Sequence, residues 1–233
     1  RSAHFRTDGL FPCARRAVKV LQQFRSTPRA AATLSKFAMT NSMNHIQPVL
    51  DSDEITRMIT RTNKFVGYSE GGRFTLLRVA EWIAVPVQSS SHLCEADQER
   101  LIRAFQNSGQ KWVWAVALEP LDNVTSVLRI PVSGQGLQEF NRECAHFNYA
   151  LLAEDESSLV VCTTDDYFVV AGNPTFVSEA VERSEAEAIE AFRRFAHDPS
   201  WTEKATAFFD SVLRAITEDY GAAAPGERVR FPR

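Results

Sequence analysis

The chain has 233 residues, 44% hydrophobic and 24% charged, with a net charge of −3. That is globular composition, enough for one large domain or a domain with an appendage. No apolar run reaches the roughly 18–20 residues that span a bilayer, and a core of this size does not depend on disulfides. The four cysteines, Cys13, Cys94, Cys144 and Cys162, are widely spaced with no CxxC pair, so they read as free thiols in a reducing cytoplasm.

The charge is unevenly distributed. Residues 1–38 carry eight Lys or Arg and a single acid, Asp8, for +7, whereas residues 39–233 carry 18 basic and 28 acidic residues, for −10. An acidic body excludes nucleic-acid binding by the body, since such domains are basic on one face. Residues 1–38 read as a basic N-terminal extension, poorly ordered or upstream of a working protein that begins near Met39. Within it, 14–24 fits a short helix with Val18 and Leu21 on one side and Arg15, Arg16 and Lys19 on another. Arg-rich, Ser-containing, acid-poor composition also suits organelle targeting, and a basic amphipathic helix suits an anionic membrane. A secretory signal is disfavoured, because no apolar core precedes a small-residue cleavage site.

From Asp51, with Glu54 three residues on, a capping box opens a helix to about Asn63. Residues 67–73 (GYSEGGR) form a turn-rich loop. Residues 73–87 are ambiguous between helix and strand; Pro86 and the loop before them favour strand. A helix follows over 95–107, with Leu101, Ile102 and Phe105 inward and Gly109 as its stop. KWVWAVALEP is a strand apolar on both faces, which predicts burial on both. VTSVLRIPV is a second strand, whose Pro131 favours an edge or strand end. Residues 137–147 read as a helix. YALL, SLVVCTT and YFVVA are three short strands, with Asp165 and Asp166 as the tight turn between the last two. Asn173 caps a helix that has Pro174 at its first position, and Ser184 with Glu187 forms a second capping box. Residues 201–220 form a long final helix with Ala205, Phe208, Val212 and Ile216 as its stripe. Residues 222–233 read as a loose tail.

The expected fold is α+β: a single domain over 39–221, with an antiparallel or mixed sheet of about five to six strands, helices packed on one face, and two C-terminal helices.

Four groupings bear on chemistry. Gly134-x-Gly136 between a strand and a helix resembles the start of a dinucleotide fingerprint, with Glu154 at the position of a ribose-binding acid. Glu139 occupies the third glycine position, and Pro131 is out of place in a central strand, so the turn reading prevails. His92 with Cys94, and Cys144 with His146, offer zinc-type ligands, but i and i+2 on a helix point about 200° apart. No nucleophile elbow, Walker A loop or HExxH is present. Glu154, Asp155, Glu156, Asp165 and Asp166 look like a cation site in one dimension; a strand over 158–164, about 23 Å long, would put the two groups at opposite ends of a hairpin. Trp112 and Trp114 share a strand face, either as core or as anchors for a partner.

No catalytic, metal or cofactor set emerges, and the chain reads as non-enzymatic. The expectation is a soluble, acidic, cytoplasmic protein-binding module with another protein as partner, a basic one in view of the charge, immunity- or antitoxin-like in role. Asp165, Asp166, Trp112 and Trp114 are its candidate contact residues. The alternative is a small hydrolase or transferase with a site built from loops such as 67–73 and 133–136.

Overall fold

A computed structural model describes residues 45–68, 74–89, 93–119 and 126–232. The helix expected over 14–24 and the extension over 1–38 lie outside these residues, as do most of the 67–73 loop and His92. Met43–Arg233 form one compact unit.

The central element is a seven-stranded sheet in which every neighbouring pair is antiparallel. Its strands are β1 (Gln47–Pro48), β4 (Ile83–Gln88), β5 (Trp112–Ala117), β6 (Val127–Pro131), β7 (Tyr149–Ala153), β8 (Ser158–Cys162) and β9 (Tyr167–Gly172), in the order β1-β6-β5-β7-β8-β9-β4. A second sheet of three strands joins β2 (Val66–Tyr68), β3 (Phe74–Leu77) and β10 (Arg228–Arg230), in the order β10-β3-β2. The six α-helices among the described residues are α1 (Ser52–Thr62), α2 (Glu95–Asn107), α3 (Gly134–Cys144), α4 (Pro174–Val181), α5 (Glu185–Ala196) and α6 (Glu203–Arg214). A π-helical turn, Ala215–Tyr220, follows α6.

The class is α+β, but the expected single sheet of five to six strands with helices on one face is incorrect. There are two sheets, and the large one is covered on both faces. The pleat sends alternate side chains to opposite sides. Trp114, Val116, Ala150, Leu152, Leu159, Val161, Tyr167 and Val169 face one core, shared with Met58 of α1, Phe192 of α5, Phe209 and Val212 of α6, and the small sheet. Val113, Ala115, Leu151, Val160, Phe168 and Val170 face the other, shared with Leu101 and Phe105 of α2, Leu137 and Phe140 of α3, and Phe176 and Val177 of α4. The double apolarity of KWVWAVALEP requires this second layer.

Local chemistry sets the helix ends. Asp51 Oδ1 accepts from Glu54 N at 2.7 Å, and Asn173 Oδ1 from Phe176 N at 2.9 Å. The Ser184–Glu187 box closes in both directions, at 3.4 and 2.9 Å. Ser133 caps α3 by accepting from Gly136 N at 3.2 Å, so α3 starts three residues before Leu137, the expected first residue.

Two further expectations change. Residues 74–87 are not one strand: they are β3 and β4, in different sheets, joined by a turn in which Glu81 has φ +67°. Arg78 fixes that turn, donating to the carbonyls of Val79 and Trp82. Part of 222–233 is not loose: β10 pairs with β3, and Phe231 stacks on Phe74 with ring centroids 4.4 Å apart.

Gly136 permits α3 to sit directly over the end of β6. A Cβ there would lie 2.3 Å from the Pro131 carbonyl oxygen, whereas one on Gly134 would meet nothing within 4 Å. We predict that Gly136→Ala destabilises the fold by about 1–3 kcal/mol through backbone displacement, while Gly134→Ala changes stability by less than about 1 kcal/mol. Urea unfolding of the two variants measures the difference.

Candidate functional site

The four candidate residues lie at opposite ends of the large sheet. Asp165 and Asp166 are at the tip between β8 and β9. The last pair across this tip within β8 and β9 is Cys162 with Phe168, so the turn is wider than two residues. Thr163 organises it: its hydroxyl donates to the Tyr167 carbonyl and accepts from Asp165 N at 3.2 Å. Asn148 Oδ1 accepts from Thr164 N at 3.0 Å, and Ser89 N donates to the Asp166 carbonyl at 2.9 Å, tying the tip to the end of β4. Asp166 adopts φ +57°, a conformation that Asp tolerates better than most residues. Asp165 is exposed and Asp166 half-buried. Desolvation raises both carboxyl pKa values, and the Asp165 charge adds to the rise at Asp166.

Glu154 and Glu156 fall at the opposite end of β8, beside Trp112. There Trp114 sits opposite Arg129 of β6, and Trp112 opposite Pro131. Trp114 is buried against the core and Trp112 is half-exposed. The Arg129 guanidinium lies 4.5 Å from the Trp112 ring centroid and 5.7 Å from that of Trp114. Its Nη2 reaches Glu154 Oε1 at 3.1 Å. Arg61 of α1 donates to Glu156 Oε1 at 2.6 Å and to the Glu154 carbonyl at 2.8 Å, and Lys64 Nζ approaches Glu156 Oε2 at 3.7 Å. The result is a half-exposed indole with one cation stacked on it and a chain of alternating charges beside it. Such a surface can take planar, aromatic or charged groups of a partner; it contains no nucleophile–base pair.

The remaining groupings serve the fold. The Ser133 hydroxyl is used as the α3 cap. Glu139, in the third glycine position of the fingerprint, is buried, and its Oε2 accepts the N–H groups of His45 and Ile46 at 2.9 and 3.3 Å. It therefore anchors the chain entering β1. Cys144 faces the core while His146 is exposed. Burial pushes the Cys144 and Cys162 thiols up to about 12, so both stay protonated at neutral pH. A cavity of about 20 Å³ near the hairpin tip, lined by Asn141, Cys162, Thr163 and Tyr167 among others, has room for about one water. Among the described residues no three His, Cys, Asp or Glu side chains converge as a metal ion requires. No described helix is long and apolar enough to cross a membrane.

No protein-family model matches the chain, and neither a curated protein nor a solved structure matches it significantly.

Sequence reasoning finds Trp112 and Trp114 by their spacing of two. It misses Arg129 as their neighbour, and Arg61 and Lys64 as the partners of Glu154 and Glu156. The only signal for Arg129 is its place as the charged residue within an otherwise apolar strand.

For Asp165 and Asp166 the folded pKa lies above the unfolded value, so the folded state binds more protons between the two, and stability falls as pH rises through that window. We predict that Asp165→Asn with Asp166→Asn removes this slope just above pH 3.8, the ordinary pKa of an Asp carboxyl. At neutral pH the double variant is no less stable than the wild type, because Asn also tolerates the left-handed conformation. Thermal melts of both proteins across acid pH test this; a double variant that melts well below the wild type at pH 7 would refute it.

Proposed function

We propose that the chain is a protein-binding module that engages another protein through the Trp112 end of its large sheet. The observation that carries this reading is the stack of Arg129 over half-exposed Trp112 and buried Trp114, held on one side by Glu154. Trp and Arg dominate the energetics of protein interfaces, and a guanidinium already fixed on an indole loses little further freedom on binding. The acidic charge of 39–233 supports long-range attraction of a basic partner, with Asp165 as an exposed acid at the far end. An immunity- or antitoxin-like role would use that steering. The cysteines Cys94, Cys144 and Cys162, none of them joined to another in a disulfide, suit a reducing cytoplasm.

The test is affinity capture with the full chain, followed by titration of the recovered partner against purified variants. We expect Trp112→Ala to weaken binding by at least about tenfold, the scale of an interface hot spot, with its circular dichroism unchanged. Equal affinity of wild type and Trp112→Ala for every recovered partner would overturn the assignment of this surface.

A further inference from the structure

The Trp112 surface differs in charge from the body that carries it. From Trp112 and Arg129, the contacts run through Glu154 to Arg61, then through Glu156 to Lys64. Next to Lys64, the carbonyl of Asn63 accepts from Arg228 of β10, whose guanidinium also reaches Thr75 Oγ1 at 3.4 Å. Among the described residues this run of contacts thus holds four cations, Arg61, Lys64, Arg129 and Arg228, against three carboxylates, Glu154, Glu156 and the exposed Asp155 between them. The body as a whole is −10. The Lys64 side chain is 57% exposed, compared with 25% for the Glu156 side chain beside it, so the cation is the more available of the pair. Arg228 is exposed as well.

Long-range and contact electrostatics therefore point in opposite directions here. Beyond a Debye length of about 8–10 Å the net charge is screened, and the residues that touch the partner decide the fit. At contact range this surface presents the exposed Lys64 and Arg228 heads, one exposed carboxylate, Asp155, and one half-exposed indole.

Resting on the protein-binding reading, we propose that the segment seated against Trp112 is an acidic, aromatic-containing stretch of the partner. Its carboxylates pair with Lys64 and Arg228, and its aromatic ring packs on the exposed part of Trp112. An acidic segment meets two exposed cations at this end, Lys64 and Arg228, whereas a basic one meets a single exposed carboxylate, Asp155, and would have to displace Arg61 and Arg129 from Glu156 and Glu154 to find more.

The experiment uses the full chain with its basic N-terminal segment intact, so that only the surface changes between samples. Fluorescein-labelled peptides of alternating Glu and Phe, and of alternating Lys and Phe, are titrated by anisotropy. The proteins are wild type, Trp112→Ala, and Lys64→Glu with Arg228→Glu. We expect the Glu–Phe peptide to bind wild type, to weaken about tenfold or more in each variant, and to weaken further with added salt. The double charge reversal lies at exposed positions, and a thermal melt equal to wild type keeps its loss interpretable if Trp112→Ala proves unstable. Tighter binding of the Lys–Phe peptide, lost in Trp112→Ala, would overturn the acidic chemistry while leaving the Trp112 surface in place. Binding of the Glu–Phe peptide that none of these substitutions alters would assign it to another part of the chain and overturn the proposal. If neither peptide binds the wild type, the acidic-segment proposal also fails; the capture experiment with Trp112→Ala judges the broader reading separately.

Discussion

The structure depends on a sheet whose middle strands are apolar on both faces. Fixing the backbone of one residue costs about 1–2 kcal/mol, and fully burying a Val, Leu or Phe side chain returns about 1.5–3 kcal/mol. A strand covered on one face recovers that gain at every second residue only, which leaves little margin. In β5, β7, β8 and β9 successive residues are buried, so nearly every position contributes. Two helical layers are the consequence. The connections α2, α3 and α4 supply one, and α1, α5, α6 and the small sheet supply the other.

A sheet satisfied on both faces still has two edges to close. On the β6 side, β1 pairs with Leu128 and Arg129, and Val49 N donates to the Val127 carbonyl at 3.0 Å. Pro131 has no N–H to leave open, and its carbonyl accepts from Ser133 N at 2.8 Å. On the opposite edge, Pro86 sits within β4, where a missing donor costs nothing on the outer side, and α5 packs alongside. The prolines that look like strand breakers in the sequence thus mark the margins of the sheet. Glu139 completes the first margin from α3, holding the entry to β1 through two backbone N–H groups.

These roles show which parts of the fold were legible. The capped helices were, because Asn173-Pro174 and Ser184–Glu187 act locally, within one turn. The double apolarity of β5 was legible too, and it already contradicted packing on one face. The division of 74–87 into two strands was not, since the turn falls on Glu81, a residue type that does not ordinarily mark φ above zero. Strand β10 is Arg-Val-Arg, with no strand-length apolar pattern; its place follows from Phe231 meeting Phe74 across 157 positions of chain. The candidate site divides in the same way. The shared face of Trp112 and Trp114 follows from a period of two, whereas the approach of Arg129 and Glu154 follows from strand register, which a single sequence does not reveal.

The two ends of the sheet differ in how their polar groups are committed. At the hairpin tip the backbone is held by the Thr163 hydroxyl, the Asn148 amide and Ser89 N. The turn is therefore built around the aspartates, and desolvation works against their charge. At the Trp112 end the charged groups are already paired with one another, at 2.6 to 3.7 Å. Pairing of half-exposed groups contributes little stability by itself, about 0–1 kcal/mol per pair. Its larger effect is geometric: it holds Arg129 over the indole and Arg61 against the end of β7, so that the side chains with most to lose on ordering are ordered beforehand. A surface in that state favours a partner that matches its spacing of charges, since a mismatched one must break existing pairs before making new ones.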